Sequence, residues 1–190
     1  MLFSHDTERA LACIVDLVNS APSSGPAGGS QEQLPDLDAL RAFVVLHDIS
    51  EVGDLTPDDV RGVHALREVI AAVFDATDDR SAAEAVNTLV SQATVTPRLT
   101  DHDGYDWHVH YFAPGAALAE HLTIDGGMAL AHVVASGERE RLRRCEAPDC
   151  DQVLVDLSRN RSKRYCDART CGNRLHVAAY RARRRVAAAG

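Results

Sequence analysis

Residues 145–174 read CEAPDCDQVLVDLSRNRSKRYCDARTCGNR and contain four of the five cysteines in this 190-residue chain. Cys145 and Cys150 form one pair, Cys166 and Cys171 form another, and each pair has four residues between its members. Two such pairs can place four thiolates around a tetrahedral zinc ion. Because four sulfur ligands leave no position for a catalytic water, the sequence predicts one structural Zn²⁺ per chain.

Two alternatives for these cysteines are a pair of disulfides and an iron–sulfur cluster. The first twenty residues lack a basic leader, and acidic residues interrupt their apolar runs, so we expect a cytoplasmic protein without a signal peptide or membrane span. Disulfides are rare in that reducing compartment, and the usual cysteine spacings of iron–sulfur clusters differ from those found here. Cys13 lies on the apolar face of a predicted helix, which favours a core residue over a ligand.

Charge is distributed unevenly along the chain. Residues 1–138 contain 6 arginines and 22 acidic residues, a net charge of −16, whereas residues 139–190 contain 13 arginines and Lys163 against 6 acidic residues, a net charge of +8. Such asymmetry indicates a polyanionic partner for the basic part. The acidic part could instead fold back onto the basic part and inhibit it.

Residues 1–138 carry mainly helical patterns. Apolar residues recur at helical spacing on both sides of a loop rich in Pro, Gly and Ser over residues 21–35. Thr56-Pro57-Asp58-Asp59 is typical of a helix start, with a threonine cap, proline at the first position and acids at the positive end of the helix dipole. A further helix is predicted from Ser81 to Gln92, and another from Ala116 to Ser136, interrupted at Gly126-Gly127.

The segments 93–100 and 105–112 are rich in β-branched and aromatic residues that alternate at period two. His102-Asp103-Gly104 lies between them and is typical of a turn, so we predict an antiparallel hairpin. The predicted fold class is therefore α+β. A mostly helical domain with a hairpin spans residues 1–138, and a small zinc finger spans residues 139–190.

The finger has an internal order of its own. Val153–Asp156 is predicted as a strand, Ser158–Ser162 as a turn, and Arg164-Tyr165 as the returning strand that leads to Cys166. Cys171 then opens a helix that continues through Arg185. This order of cysteine pair, hairpin, cysteine pair and helix predicts a treble-clef-like finger that ends in a basic helix.

The finger resembles the CGNR zinc-finger family, which is named for a tetrapeptide found here as Cys171-Gly172-Asn173-Arg174. The resemblance extends to Arg164-Tyr165-Cys166 and to the basic end AAYRARRR. In that family the finger usually follows an ABATE domain, which is labelled a stress-induced transcription regulator. An early D-x-x-N signature of that domain resembles Asp16-Leu17-Val18-Asn19 in this chain. The next helix of the domain resembles the segment that begins with Leu55-Thr56-Pro57 and continues to Ala65-Leu66-Arg67-Glu68. Phe43 departs from the pattern, since tryptophan often occupies that place. The resemblance implies a two-part regulator.

Five arginines on the terminal helix are candidates for binding nucleic acid. Arg174, Arg181 and Arg185 share one stripe, and Arg183 and Arg184 widen it. Arginine can pair with phosphate and can read guanine, which favours DNA as the partner. The alternatives are RNA, an acidic protein and the acidic body itself. Arg174 could instead hydrogen-bond the zinc thiolates, and four arginines that flank the ligands are expected to offset their charge: Arg143, Arg144, Arg164 and Arg169.

Polar residues on otherwise apolar helices of the body mark a candidate effector pocket: Asp16, Asn19 and Arg67. A buried hydrogen-bond network is the alternative for this set. His108 and His110 lie on one face of a strand, close enough to share a metal or ligand, although such a pair on a half-exposed hairpin often has no special role. The sequence contains no nucleophile with a positioned base, so we predict a regulator and not an enzyme. Its body would sense a small molecule or form a homodimer, while its finger binds DNA. The rivals are a zinc-stabilised protein-interaction module and, less favoured, an enzyme in the body.

Overall fold

The computed structural model of the chain describes residues 3–23, 31–101 and 107–189. Within these ranges the chain forms six α-helices and two short antiparallel strand pairs, which confirms the predicted α+β class. The helices are α1 His5–Asn19, α2 Leu37–Leu46, α3 Pro57–Phe74, α4 Asp79–Val90, α5 Leu118–Ala135 and α6 Asn173–Ala189. The strands are β1 Arg98–Thr100, β2 His108–His110, β3 Leu142–Arg144 and β4 Val153–Val155.

Helix starts follow the capping signals in the sequence. The backbone N–H and the hydroxyl of Thr56 both donate to Asp59 Oδ2 at 2.8 Å, and Pro57 occupies the first position of α3. Asp78 caps α4 by accepting the N–H of Ser81 at 2.7 Å, so this helix begins two residues earlier than predicted. Local side-chain hydrogen bonds therefore fix where these helices begin.

Helices α1, α3, α4 and α5 pack around one apolar core, and α5 runs unbroken through Gly126 and Gly127. The predicted interruption at these glycines is wrong. A Cβ at Gly126 would overlap Ile14 Cγ2 of α1, and one at Gly127 would lie 2.7 Å from Val90 Cγ2 of α4. The two glycines therefore let neighbouring helices approach α5 closely, and tertiary packing outweighs their low helix propensity.

The first strand pair has Leu99 opposite Val109. The predicted turn His102-Asp103-Gly104 lies outside the described residues, as do residues 24–30 of the loop between α1 and α2. No helix in the described part of the chain is long and apolar enough to cross a membrane.

The second strand pair joins β4 to β3, so the prediction that β4 pairs with Arg164-Tyr165 is wrong. All three residues of β4 are buried, and its partner must therefore bring an apolar side chain to the same layer. Leu142, opposite Val155, does so and is only 5% exposed, whereas Arg164 is exposed. The segment with Arg164 instead lies beside the end of β3, where its carbonyl accepts the N–H of Glu146 at 2.9 Å.

The β3–β4 pair belongs to the same apolar core as the helices. Leu142, Val153 and Val155 pack into the core cluster that includes residues of α1 and α3. A second, smaller cluster holds Leu154 with the cysteines and Ala147. Alternate residues of β4 thus face opposite sides, with Val153 and Val155 toward the helical body and Leu154 toward the cysteine centre. This packing fixes the position of the cysteine centre relative to the body.

Candidate metal centre and basic helix

The four predicted cysteines come together at one point. Their sulfur atoms all lie within 4.8 Å of one another. The Sγ atoms of Cys150 and Cys166 are 3.7 Å apart, and those of Cys166 and Cys171 are 3.8 Å apart. A tetrahedral zinc ion with Zn–S bonds of about 2.3 Å requires sulfur–sulfur distances of about 3.8 Å. The donor type, number and spacing therefore fit a Zn²⁺ ion held by Cys145, Cys150, Cys166 and Cys171.

Two short turns deliver the first cysteine pair. Cys145 follows β3 directly, and its N–H donates to the carbonyl of Gln152 at 2.8 Å, extending the strand pairing. Cys150 closes a turn in which its own N–H donates to the carbonyl of Ala147 at 3.1 Å. The first pair of ligands is therefore a direct continuation of the β3–β4 pair.

Asp156 organises the loop that brings in Cys166. Its side chain is buried, and its carboxylate accepts the N–H of Ser158 at 2.9 Å, the hydroxyl of Ser158 at 2.5 Å and the N–H of Lys163 at 2.8 Å. Burial acts to raise the pKa of Asp156, but the hydrogen bonds from Ser158 and Lys163 outweigh it and hold that pKa below its usual value. Sequence reasoning missed this residue, although an acid directly after an apolar strand is typical of a loop anchor.

Cys171 lies in a π-helical turn, Ala168–Gly172, that leads into α6. Asp167 caps this turn by accepting the N–H of Thr170 at 2.7 Å. The N–H of Cys166 points at Cys145 Sγ, 3.4 Å away. Burial acts to raise the pKa of Cys145, but backbone N–H groups, chiefly that of Cys166, bring it below the usual value, whereas burial raises the pKa of Cys150 to about 11. The backbone thus favours a thiolate at Cys145, as metal binding requires.

Several arginines near the cysteines are engaged in ion pairs. Arg144 makes a two-point pair with Asp75 at the end of α3, at 2.7 and 2.8 Å. Arg164 pairs with Glu146 at 2.5 Å. Arg174 pairs with both carboxylate oxygens of Asp149, which lies between the first two cysteines. Arg174 therefore connects the start of α6 to the first ligand turn.

Helix α6 extends away from the metal centre, and the rest of the chain gives this helix little support. Its main contacts are with the turn Ala168–Gly172, and Leu175 packs against the cysteine cluster. The other candidate nucleic-acid residues lie beyond this anchor, and their side chains are exposed: Arg181, Arg183, Arg184 and Arg185. Among the residues that the structure describes, none of these four forms an ion pair. The four arginines thus present a basic surface on a protruding helix.

Of the cavities found in the described residues, one is lined by Asp16 and Asn19 and another by Asn19 and Arg67. Arg67 is 6% exposed and is held by Glu32 through two bonds of 2.7 Å, by the Ser20 hydroxyl at 2.7 Å and by the Leu17 carbonyl at 3.2 Å. Asn19 bonds both backbone polar groups of Val153. Asp16 and Asn19 line an open cavity of about 630 Å³ between α1, α2 and the loop with Cys166, and Arg67 does not line it.

A second cavity, of about 280 Å³, lies in the body between α1, α5, β2 and the segment after α2. Five of the nine histidines in the chain line it: His47, His108, His110, His121 and His132. Sequence reasoning identified the pair on β2 but missed the other three, which are His47 directly after α2 and His121 and His132 on α5. The spacing of His121, Asp125 and His132 on one helix face was the available signal.

Two family models match the chain. A model of the CGNR zinc finger matches residues 141–184, which contain the four cysteines, and a model of the ABATE domain, described as "Putative stress-induced transcription regulator", matches residues 11–148. The two matches overlap on residues 141–148, which contain β3 and the first cysteine. A search of proteins with curated functions found no match. Because the second model covers most of the chain and the first contains its cysteine centre, the protein belongs to the ABATE family and carries a CGNR zinc finger.

Proposed function

We propose that this protein is a transcription regulator that binds DNA through α6 and senses a small ligand or dimerises through its helical body. One zinc ion per chain holds α6 in place. The observation that carries this proposal is the set of four exposed arginines on a helix that has few contacts with the rest of the chain. The description of the ABATE family as a transcription regulator supports the same function.

The dimensions of α6 suit the major groove of DNA. Its 17 residues correspond to a length of about 25 Å, and a single helix fits within the groove. Arginine side chains on such a helix can pair with phosphates or with the edge of guanine. The net charge of −16 in residues 1–138 would repel DNA, so the basic helix is the part of the chain that can approach it.

The cavity between α1, α2 and the finger is the candidate place for sensing. Asp16 and Asn19 line one side of it, and Lys163 and Cys166 line the other. A ligand bound there would contact both the body and the loop that supplies the third cysteine. Such a ligand could shift the position of α6 because the same loop leads to it.

The experiment is to measure binding of zinc-loaded protein to random duplex DNA by fluorescence anisotropy over a range of salt concentrations. We expect log affinity to fall linearly with log salt, with a slope of roughly −0.9 per phosphate contacted. Changing both Arg181 and Arg185 to alanine should weaken binding and reduce that slope by about 2. Arg41→Ala together with Arg80→Ala, on exposed helix surfaces of the body, is the matched control and should leave the slope unchanged.

Absence of duplex binding at low salt would refute DNA binding. Equal slopes for the wild type and the α6 double variant would show that α6 is not the contact surface. The better interpretation would then be a zinc-stabilised module whose basic helix binds an acidic protein.

A further inference from the structure

The cavity between α1, α2 and the finger reaches one of the four clustered cysteines. It has a volume of about 630 Å³. Of these four cysteines, all of which lie in the described part of the chain, Cys166 is the one that lines it. Cys166 is half-buried, whereas Cys145 is 7% exposed and Cys171 is fully buried. A small molecule in the cavity can therefore reach Cys166 from the side of the helical body.

The lining of this cavity favours a neutral and mainly apolar ligand. More than half of the residues that line it are apolar, and Phe43 of α2 is among them. The charged residues in the lining are Asp16, Asp167 and Lys163. Asp167 already accepts the N–H and the hydroxyl of Thr170, at 2.7 and 2.9 Å. Asp16 and Lys163 carry opposite charges that attract each other, so neither sign of charge is left in excess for an ionic ligand.

A second half-buried cysteine lies beside Cys166. The Sγ atoms of Cys166 and Cys150 are 3.7 Å apart, and a disulfide bond is about 2.05 Å long, so the two sulfurs need to approach by about 1.7 Å. Cys171 Sγ lies 3.8 Å from that of Cys166, but Cys171 is fully buried in its π-helical turn. The turn that carries Cys150 is largely exposed. Cys150 is therefore the cysteine that can move toward Cys166 at the lower cost in packing.

We propose that Cys166 is oxidised by an organic hydroperoxide that binds in this cavity, and that Cys150 completes a disulfide with it. The proposal names the class of ligand that the cavity senses, so it rests on the proposed sensing function. A cysteine that binds a metal does so as the thiolate, which is the nucleophilic form. An organic hydroperoxide is uncharged and joins an apolar group to a reactive O–O bond, which matches an apolar cavity with a thiolate in its wall.

The oxidation has two steps. The Cys166 thiolate attacks the terminal oxygen of the hydroperoxide, the O–O bond breaks, and the leaving alkoxide takes a proton from water, so that Cys166 becomes a sulfenic acid. The Cys150 thiolate then attacks the Cys166 sulfur, which forms the S–S bond and releases hydroxide. In sum, two thiolates, one hydroperoxide and two protons give one disulfide, one alcohol and one water. The two sulfurs are oxidised, and the peroxide oxygens are reduced.

This disulfide removes two of the four zinc ligands. Cys145 and Cys171 alone cannot complete the tetrahedral set of a structural site, so the ion is released. Cys166 lies just before the π-helical turn that leads into α6, and the order of this part depends on the ion. A hydroperoxide in the cavity thereby loosens α6.

The test treats the zinc-loaded full chain with cumene hydroperoxide and, in parallel, with hydrogen peroxide. A chromophoric chelator measures the rate of zinc release, and mass spectrometry after blocking of free thiols identifies the disulfide. We expect cumene hydroperoxide to release one zinc per chain at least tenfold faster than hydrogen peroxide does, with a disulfide between Cys150 and Cys166. A thiol reductant with added zinc should restore the original state. Cys13→Ala should react as the wild type does.

Variants that remove a ligand lose zinc before any oxidation, so the decisive variant fills the cavity instead. Ala42 lines the cavity at an exposed position of α2, and Ala42→Trp should lower the ratio of the two release rates at least tenfold. Ala72→Trp, at an exposed position of α3 outside this lining, is the matched control and should keep the ratio. Circular dichroism should show an unchanged fold for both variants.

The proposal is wrong if cumene hydroperoxide releases no zinc or acts no faster than hydrogen peroxide. It is also wrong if the disulfide joins another pair of cysteines, or if folded Ala42→Trp keeps the wild-type ratio. Neither measurement involves DNA. A protein that passes this test but binds no duplex would keep the sensing function and lose the DNA-binding one.

Discussion

Asn19, the last residue of α1, bonds both backbone polar groups of Val153, which lies 134 residues later in the chain. Its amide nitrogen donates to the Val153 carbonyl at 2.9 Å, and its side-chain oxygen accepts the Val153 N–H at 2.8 Å. Val153 is fully buried, so no water can replace these bonds. The side chain of Asn19 thus bonds β4 as the backbone of a neighbouring strand would, and it attaches the finger to the body.

Replacement of Asn19 by alanine should lower the free energy of unfolding by about 2–3 kcal/mol, because it leaves a buried N–H and a buried carbonyl without partners. Urea denaturation measures the loss, and hydrogen exchange of the β4 amides locates it. Asn87→Ala, at an exposed position on α4, is the control and should change stability by no more than about 0.5 kcal/mol. Equal stability of the two variants would mean that Asn19 does not hold β4.

Arg67→Met should destabilise the body by about 3 kcal/mol, since it removes the buried guanidinium that pairs with both carboxylate oxygens of Glu32. Burial acts to raise the pKa of Glu32, but the hydrogen bonds from Arg67 and from the N–H of Leu34, together with the charge of Arg67, lower that pKa below its usual value. A lowered folded-state pKa gives stability that is present above the unfolded pKa and is lost as the pH falls through the folded one. Glu32→Gln should therefore remove part of the acid-dependent loss of stability between about pH 5 and the lowered pKa. An unchanged pH profile in that variant would contradict this origin.

Gly126→Ala should lower the thermal stability of the body. The added methyl group overlaps Ile14 Cγ2, and overpacking of this kind costs about 1–3 kcal/mol, more than the gain of about 1 kcal/mol in helix propensity. Gly53→Ala is the control, because a Cβ there meets nothing within 4 Å and should leave stability unchanged or slightly higher. Calorimetry on both variants provides the comparison. A stabilising effect at Gly126 would mean that α1 and α5 do not approach as described.

Cys171→Ser should abolish zinc binding and expose the amides of α6 and the preceding turn to hydrogen exchange, because the ion supplies the folding energy of that part. The helical body should remain folded, since its core contains none of the four ligands. Cys13→Ala is the matched cysteine control and should keep one zinc per chain. Elemental analysis decides between these outcomes, and zinc retained by Cys171→Ser would exclude the proposed ligand set.

Arg174→Ala should loosen zinc without removing it, whereas Arg181→Ala should not affect it. Arg174 connects α6 to Asp149 in the first ligand turn, while Arg181 is exposed and makes no ion pair in the described ranges. Competition with a chromophoric chelator measures the rate of zinc loss for both variants. Identical rates would show that the Arg174–Asp149 pair does not support the metal centre.

The cysteine centre was predictable because all four ligands lie within 27 residues and share one chemistry. Helix starts were predictable because the caps are local. The partner of β4 was missed, since it depends on the need for Leu142 in the core, which no short-range pattern reveals. The sequence marked Asn19 as a candidate for a buried network and His108 and His110 as a pair, but it did not reveal their partners. Val153 and the other cavity histidines reach them only when distant segments pack.

The participation of Leu142, Val153 and Val155 in the body core has a consequence for how the protein can be divided. A fragment that ends at residue 138 would leave a hole where these side chains belong, and a fragment that begins at residue 139 would expose them to water. The finger of this chain therefore cannot be transferred to another protein as an independent unit by cutting between residues 138 and 139. By contrast, Arg181, Arg183, Arg184 and Arg185 of α6 are exposed, so these four side chains can be exchanged while the rest of the molecule keeps its fold.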